Sequence, residues 1–162
     1  MNIQFSKSID LEHVYIGEIG EVIEACPYEE DIIRIAEKAF SHSRFFNDPK
    51  LEQDKAKNIY VHWVKSAFNK PDKYFIVVKK NGIIVGFLLL SIAEKNIFST
   101  IELIAVDENY RGQRVGKTLI HTMEFFLHDK GIAKIKVGTQ LDNTSALKFY
   151  TDNGFDYCHC NS

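Results

Sequence analysis

Apolar residues in this chain fall into helical, alternating and continuous runs, and the period changes at polar breaks. Ile32, Ile35, Ala36, Ala39 and Phe40 recur at i, i+3, i+4, i+7 and i+8, which puts them on one helical face. Cys26-Pro27-Tyr28-Glu29-Glu30-Asp31 leads into them, with a proline suited to a first turn and acids suited to its positive end. A second helix is predicted over Lys55 to Phe68, with Ala56, Ile59, Tyr60, Trp63, Val64 and Ala67 on its apolar face. Tyr74 to Val78 is aromatic and β-branched, so it reads as a strand. Asn81-Gly82 follows as a hairpin turn, and Ile83 to Ala93 is the return strand. That return strand is apolar almost throughout, which predicts cover on both faces of the sheet. Glu94-Lys95-Asn96 turns the chain into another strand, Ile97 to Val106.

Helical spacing returns at Val115, Leu119, Met123, Phe126 and Leu127, out to about Asp129, and Gly131 is the expected left-handed cap. Ala133 to Val137 alternates as a strand. Asp142 or Asn143 caps a last helix carrying Ala146, Leu147, Phe149 and Tyr150, and Phe155 to Cys160 ends the pattern as a short strand. Met1 to Ile23 carries no firm period; Tyr15 to Ile19 alternates weakly, as an edge strand would. The strand–helix–strand order makes Ala133–Val137 parallel to Ile97–Val106, while the earlier strands run antiparallel. The expected fold class is α/β: a single domain over residues 1–162 with a mixed, mostly antiparallel sheet and helices on both faces. If two strands splay where the sheet turns parallel, backbone groups are freed beside the loop that follows Val106.

That loop, Val106 to Lys117, holds Gly112, Gly116 and the basic residues Arg111, Arg114 and Lys117 ahead of a helix. Glycine lets a backbone approach a ligand, and a helix start favours an anion. The pattern points to a phosphate or pyrophosphate site, or else to an ordinary tight loop with solvated basic residues. A net charge of -2, with basic residues scattered, gives no footprint for nucleic acid. There is no charged start followed by an apolar run, and the longest apolar run, Ile83 to Ile92, is too short to span a bilayer. A cytoplasmic location is therefore expected. Cys158-x-Cys160 lacks a second ligand pair, so with Cys26 the cysteines read as reduced thiols and no metal is expected. Ser41 to Asp54 is a long polar and aromatic connection, whose Phe45 and Phe46 either meet a ligand or anchor the loop.

Tyr110-Arg111-Gly112-Gln113-Arg114-Val115-Gly116 and the later Asn143-Thr144-Ser145-Ala146-Leu147-Lys148-Phe149-Tyr150-Thr151-Asp152-Asn153-Gly154-Phe155, in this order after a strand meander, resemble the GCN5-related N-acetyltransferase (GNAT) superfamily. Its acetyl-CoA motif has the form Q/R-x-x-G-x-G/A, and Arg111, Arg114 and Gly116 stand at its fixed positions. Arg114 replaces the middle glycine, and a negative φ would let it keep its N–H on the phosphate. A narrower resemblance, carried by Ser43-Arg44-Phe45-Phe46-Asn47-Asp48-Pro49, Tyr60, Trp63 and Gly138-Thr139-Gln140-Leu141-Asp142-Asn143, is to the TDP-fucosamine acetyltransferase-like nucleotide-sugar branch.

The resemblance implies acetyl-CoA as co-substrate and no metal. It implies that Ile104, Ala105 and Val106 pair with the pantetheine arm through their backbone, with an N–H near Ala105 as oxyanion donor. By the same resemblance Arg111, Gly112, Gln113, Arg114, Val115, Gly116 and Lys117 would form the pyrophosphate loop, and Asn143 would fix the pantetheine near its sulfur. Tyr150 is the implied general acid, two helical turns beyond Asn143. Glu102 is the implied base, with His42 and His62 as further candidates. Arg44, Phe45 and Gln140 are the implied acceptor-site residues. The implied acceptor is a small-molecule amine, foremost the amino group of a dTDP-linked amino-dideoxy sugar, with neither nucleic acid nor membrane expected; a homodimer is left open. Alternatives are a protein N-terminus, a polyamine or an antibiotic amine as acceptor, or a non-catalytic acyl-CoA-binding module.

Overall fold

A computed structural model describes residues 2–9, 20–23, 28–39, 53–92, 98–140 and 144–161. Among the described residues, seven strands form one sheet: β1 (Asn2–Ser8), β2 (Glu21–Ile23), β3 (Lys73–Lys80), β4 (Ile83–Ile92), β5 (Ser99–Val106), β6 (Lys134–Gln140) and β7 (Asp156–Asn161), in the order β2-β3-β4-β5-β6-β1-β7. Every neighbouring pair is antiparallel except β5–β6. The helices are α1 (Glu29–Ala39), α2 (Gln53–Ala67), α3 (Val115–Asp129) and α4 (Thr144–Asp152). None among the described residues is long and apolar enough to cross a membrane.

The two faces of the sheet carry separate cores. Ile32, Ile35 and Ala36 of α1 and Val64 and Ala67 of α2 pack on Phe75, Val77, Phe87, Leu89, Leu103 and Ala105. On the other face, Leu119, Ile120, Met123 and Leu127 of α3 and Tyr150 of α4 pack on Ile76, Val78, Leu88, Leu90 and Ile101. β4 thus buries side chains on both faces, as its unbroken apolar run requires. The β3–β4 turn has φ of 53° at Asn81 and 78° at Gly82, the doubly left-handed turn that suits the strands' twist. Gly131 caps α3 with φ 76°.

The structure departs from the sequence pattern at β1 and at α2. β1 lies inside the sheet, between β6 and β7, although NIQFSKS offers little apolar signal; its partners on both sides define it. Tyr15 to Ile19, the weak edge-strand candidate, lies outside the described residues. On α2, the expected apolar face is too wide: Ile59 is 42% and Trp63 39% exposed, and the buried stripe is Val64 and Ala67, flanked by half-buried Tyr60. Helical spacing defines the stripe but not its rotation against the sheet, and Ile59 and Trp63 fall on its rim.

α3 is tied to the far half of the sheet by an ion pair. Lys7 of β1 reaches Glu124 of α3 at 2.6 Å, with side-chain exposures of 17% and 6%. The same ammonium donates to the Asn153 carbonyl at 2.8 Å, just after α4. Three elements distant in sequence thereby share one charge.

Candidate active site

The site is built where β5 and β6 part. Their parallel pairing runs only over Ser99–Ile135, Thr100–Lys136 and Ile101–Val137. β5 continues to Val106 and β6 to Gln140 without pairing further with each other. From Glu102 to Val106, β5 has β4 on one side and, among the described residues, no strand on the other. A bulge begins the departure. Leu89 pairs with Leu103 and Leu90 with Ile101, so Glu102 is the extra residue. The bulge also reverses the alternation: Ile101 faces the α3 core, while Leu103 and Ala105 face the α1–α2 core.

Beyond the open edge comes the loop. The Asp107 N–H donates to Val85 O at 2.8 Å, and its carboxylate accepts from Asn109 N at 3.0 Å, starting a single 3-10 turn, Glu108–Tyr110. Arg34 of α1 braces this point, with Nη1 3.3 Å from Asp107 Oδ2 and Nη2 donating to Ile84 O at 3.4 Å. Gly112 takes φ 81°, which explains a glycine in an otherwise open place. Arg114 is the N-cap of α3 and gives its first turn no side-chain hydrogen bond. Its carbonyl accepts from the Thr118 N–H and hydroxyl, both at 3.0 Å. The first-turn N–H groups therefore point out of the helix end without a side-chain cap, among exposed Arg111, Arg114 and Lys117.

Arg114 corrects an expectation. Its φ is +63°, not negative, so an L side chain occupies the left-handed position where the family motif has glycine. The turn into α3 demands this conformation whichever residue stands there. Left-handed backbone costs a non-glycine residue about 1 kcal/mol. Arg114→Gly is accordingly expected to raise the unfolding free energy by roughly that amount, or about 2–4 °C in Tm, as thermal and urea unfolding would measure.

Two glycines set how closely α3 packs. A Cβ at Gly86 would lie 2.6 Å from Val115 Cγ1, so its absence seats the helix start on β4. A Cβ at Gly116 would lie 2.8 Å from Phe149 Cε1, so its absence draws α4 against α3. Next to Phe149 stands Tyr150, only 6% exposed. Its ring meets Phe149 and Phe155 edge-on, at centroid distances of 5.4 and 5.5 Å, and Phe5 at 5.9 Å. Among the described residues nothing hydrogen-bonds its hydroxyl. Burial pushes the phenol well above the ordinary tyrosine range, so it stays protonated.

Glu102 is held on both oxygens. Trp63 of α2 donates Nε1–H to Oε1 at 2.9 Å, and Lys73, at the start of β3, pairs with Oε2. Ile104, Ala105, Val106 and the Arg111–Lys117 loop are thus brought onto one continuous stretch, with Glu102 at its beginning. Gln140 closes β6 opposite Asn2, and its side chain lies outside the described set. Arg44, Phe45, His42 and Asn143 also lie outside it. Sequence reasoning missed Arg34 and Lys73, whose partners are 73 and 29 residues away and leave no local signal.

A profile of the Acetyltransferase (GNAT) family matches residues 30–155. In sequence, the chain is 32% identical over 127 residues to the spore coat polysaccharide biosynthesis protein SpsD of Bacillus subtilis (strain 168), a match covering 78% of this chain and 43% of SpsD. The chain therefore spans less than half the length of that relative. Among solved structures, a Bacillus anthracis protein assigned as a streptothricin acetyltransferase, in complex with acetyl coenzyme A, is 33% identical with TM-score 0.51, over 57% of this chain and 53% of that one. The aminoglycoside acetyltransferase meta-AAC0020, from an uncultured soil metagenomic sample, is 25% identical with TM-score 0.62, over 83% and 85%. The family profile runs from α1 to the end of α4 and so takes in both the parted strands and the loop before α3. The chain belongs to the GNAT acetyltransferase family.

Proposed function

We propose that this chain is an acetyl-CoA-dependent N-acetyltransferase that acts on a primary amine by direct transfer in a ternary complex. We further propose that the acceptor is the amino group of a nucleotide-linked amino-dideoxy sugar. The observation that carries the donor half is the strand edge from Glu102 to Val106, open on one side and leading into an uncapped, basic helix start. Acetyl-CoA, when bound, supplies the acetyl thioester, and the residues present fit it. Backbone groups of Ile104, Ala105 and Val106 would take the pantetheine arm as an added strand. The N–H groups of Gln113 to Gly116, with Arg111, Gly112 and Lys117, would hold the pyrophosphate. Asn143 would fix the arm near its sulfur.

The acceptor arrives as an ammonium ion and must lose a proton before it can attack. Glu102 is the proposed recipient, directly or through water. Lys73 and Trp63 hold its carboxylate in place, and each oxygen retains a lone pair beyond the one already engaged. A backbone N–H near Ala105 is the proposed oxyanion donor; because the Asp107 N–H donates to Val85 O, strand alternation turns the Ile104 and Val106 N–H groups away from β4 and onto the open edge. Tyr150 holds a proton for the departing thiolate.

The sugar acceptor is supported by the resemblance over Ser43–Pro49 and Gly138–Asn143 and by likeness to SpsD, a polysaccharide biosynthesis protein. An antibiotic amine is the second reading, favoured by likeness to the aminoglycoside and streptothricin enzymes. Thiol release from acetyl-CoA separates them, with dTDP-4-amino-4,6-dideoxyglucose set against sisomicin, streptothricin, spermidine and an N-terminal peptide. Release with the nucleotide sugar above all others is expected. Release with an antibiotic alone would move the acceptor to the second reading. Acetyl-CoA binding in calorimetry with no release on any amine would make the chain a non-catalytic binder. Glu102→Gln is expected to lower kcat/KM by about 100-fold.

A further inference from the structure

We infer that Trp63 is a stacking platform for the sugar ring of the acceptor, locked in place by the carboxylate of Glu102; this rests on the reading that the acceptor is an amino sugar. Trp63 is the chain's single tryptophan, and it is 39% exposed. Ile59, one turn earlier on α2, is 42% exposed, so the two widen one apolar surface. A lone exposed aromatic needs no explanation. This one differs because its N–H donates to Glu102 Oε1 at 2.9 Å, a charge-assisted bond that fixes the ring. Lys73, on the other oxygen, fixes the carboxylate in turn. The anchor point is the bulge where β5 leaves β6, the mouth of the open strand edge.

A fixed indole beside a carboxylate presents two chemistries together. An amino sugar offers both complements: an apolar C–H face for the ring and a cationic nitrogen for the acid. A flexible polyamine has the cation without the face. A peptide N-terminus has no ring to stack. The ring is preordered, so little entropy is lost on stacking.

Because Trp63 is the sole tryptophan, its own emission reads the contact. Wild-type protein is titrated with dTDP-4-amino-4,6-dideoxyglucose, sisomicin and spermidine, and turnover is measured with Trp63→Leu and Trp63→Phe. Saturable change in emission with an amino sugar, and none with spermidine, is expected. Trp63→Leu is expected to raise the acceptor KM about tenfold, leaving the acetyl-CoA KM unchanged, with Trp63→Phe between. A response and turnover with sisomicin alone would overturn the nucleotide-sugar reading and leave the platform standing. Turnover of the nucleotide sugar with unchanged emission, and an unchanged KM in Trp63→Leu, would overturn the platform and leave the function standing. Turnover of spermidine alone would overturn both. A lowered native mass in Trp63→Leu with unchanged KM would overturn the platform and mark this surface as an interface between copies.

Discussion

Glu124→Ala is expected to destabilise the protein by about 3–5 kcal/mol in urea unfolding, the range for breaking a buried ion pair from one side. Glu124 sits on α3 with a side chain 6% exposed, and its loss leaves the Lys7 ammonium with the neutral Asn153 carbonyl and the face of the Phe155 ring, and no counter-charge among the contacts described. The converse change, Lys7→Met, strands a carboxylate in the same place and is expected to cost a similar amount. Combining Lys7→Met with Glu124→Leu removes both charges together and should recover most of the loss. If the double variant is as unstable as either single one, packing rather than charge is what the pair supplies. Acid adds to the stress on this helix. His121 has its pKa lowered from 6.5, by burial first and then by the charges of Lys7 and Lys117. The folded state therefore binds this proton less readily than the unfolded chain, and stability contributed above about pH 6.5 is lost as pH falls below it.

Tyr150→Phe is expected to separate activity from stability. In the proposed role of general acid, the phenol would contribute about 100-fold or more to kcat, and that factor should vanish while the acetyl-CoA KM stays close to its parent value. The fold should not suffer. The ring contacts with Phe5, Phe149 and Phe155 are all kept, and the hydroxyl removed has no hydrogen-bond partner among the described residues. A buried hydroxyl without a partner is unfavourable, so the variant's unfolding midpoint should match or exceed the parent's. The raised pKa also means that no loss of rate from tyrosine ionisation begins at the ordinary value of 10.0. An unchanged kcat across pH in the variant would remove Tyr150 from the chemistry and leave it a core side chain.

The sequence carries most of this architecture wherever a segment's own pattern decides its structure. The Asn81-Gly82 turn, the two-faced burial of β4, the extent of α3 and the parallel β5–β6 pair are all local or nearly local consequences of residue order. What escapes is what only partners decide. β1 has Phe5 in the core and polar residues around it, and it is a strand because β6 and β7 flank it. The Lys7–Glu124 pair joins residues 117 apart. Trp63 reads as core because spacing cannot tell the centre of a helical stripe from its rim. Arg114 hides a left-handed turn behind a residue that seldom adopts one.

The three-rung pairing between β5 and β6 has a consequence for the living concentration range of the protein. Among the described residues the sheet is incomplete along one line, and a donor lying on Glu102–Val106 as proposed would finish it from outside the chain. Loading then makes hydrogen bonds that folding alone leaves unmade, and only the folded chain offers them. The resistance of this protein to unfolding becomes a readout of the co-substrate pool, rising by about 2.7 kcal/mol when the free donor stands at 100 times its dissociation constant. In a cell short of acetyl groups, the idle enzyme would be the form most readily opened and degraded.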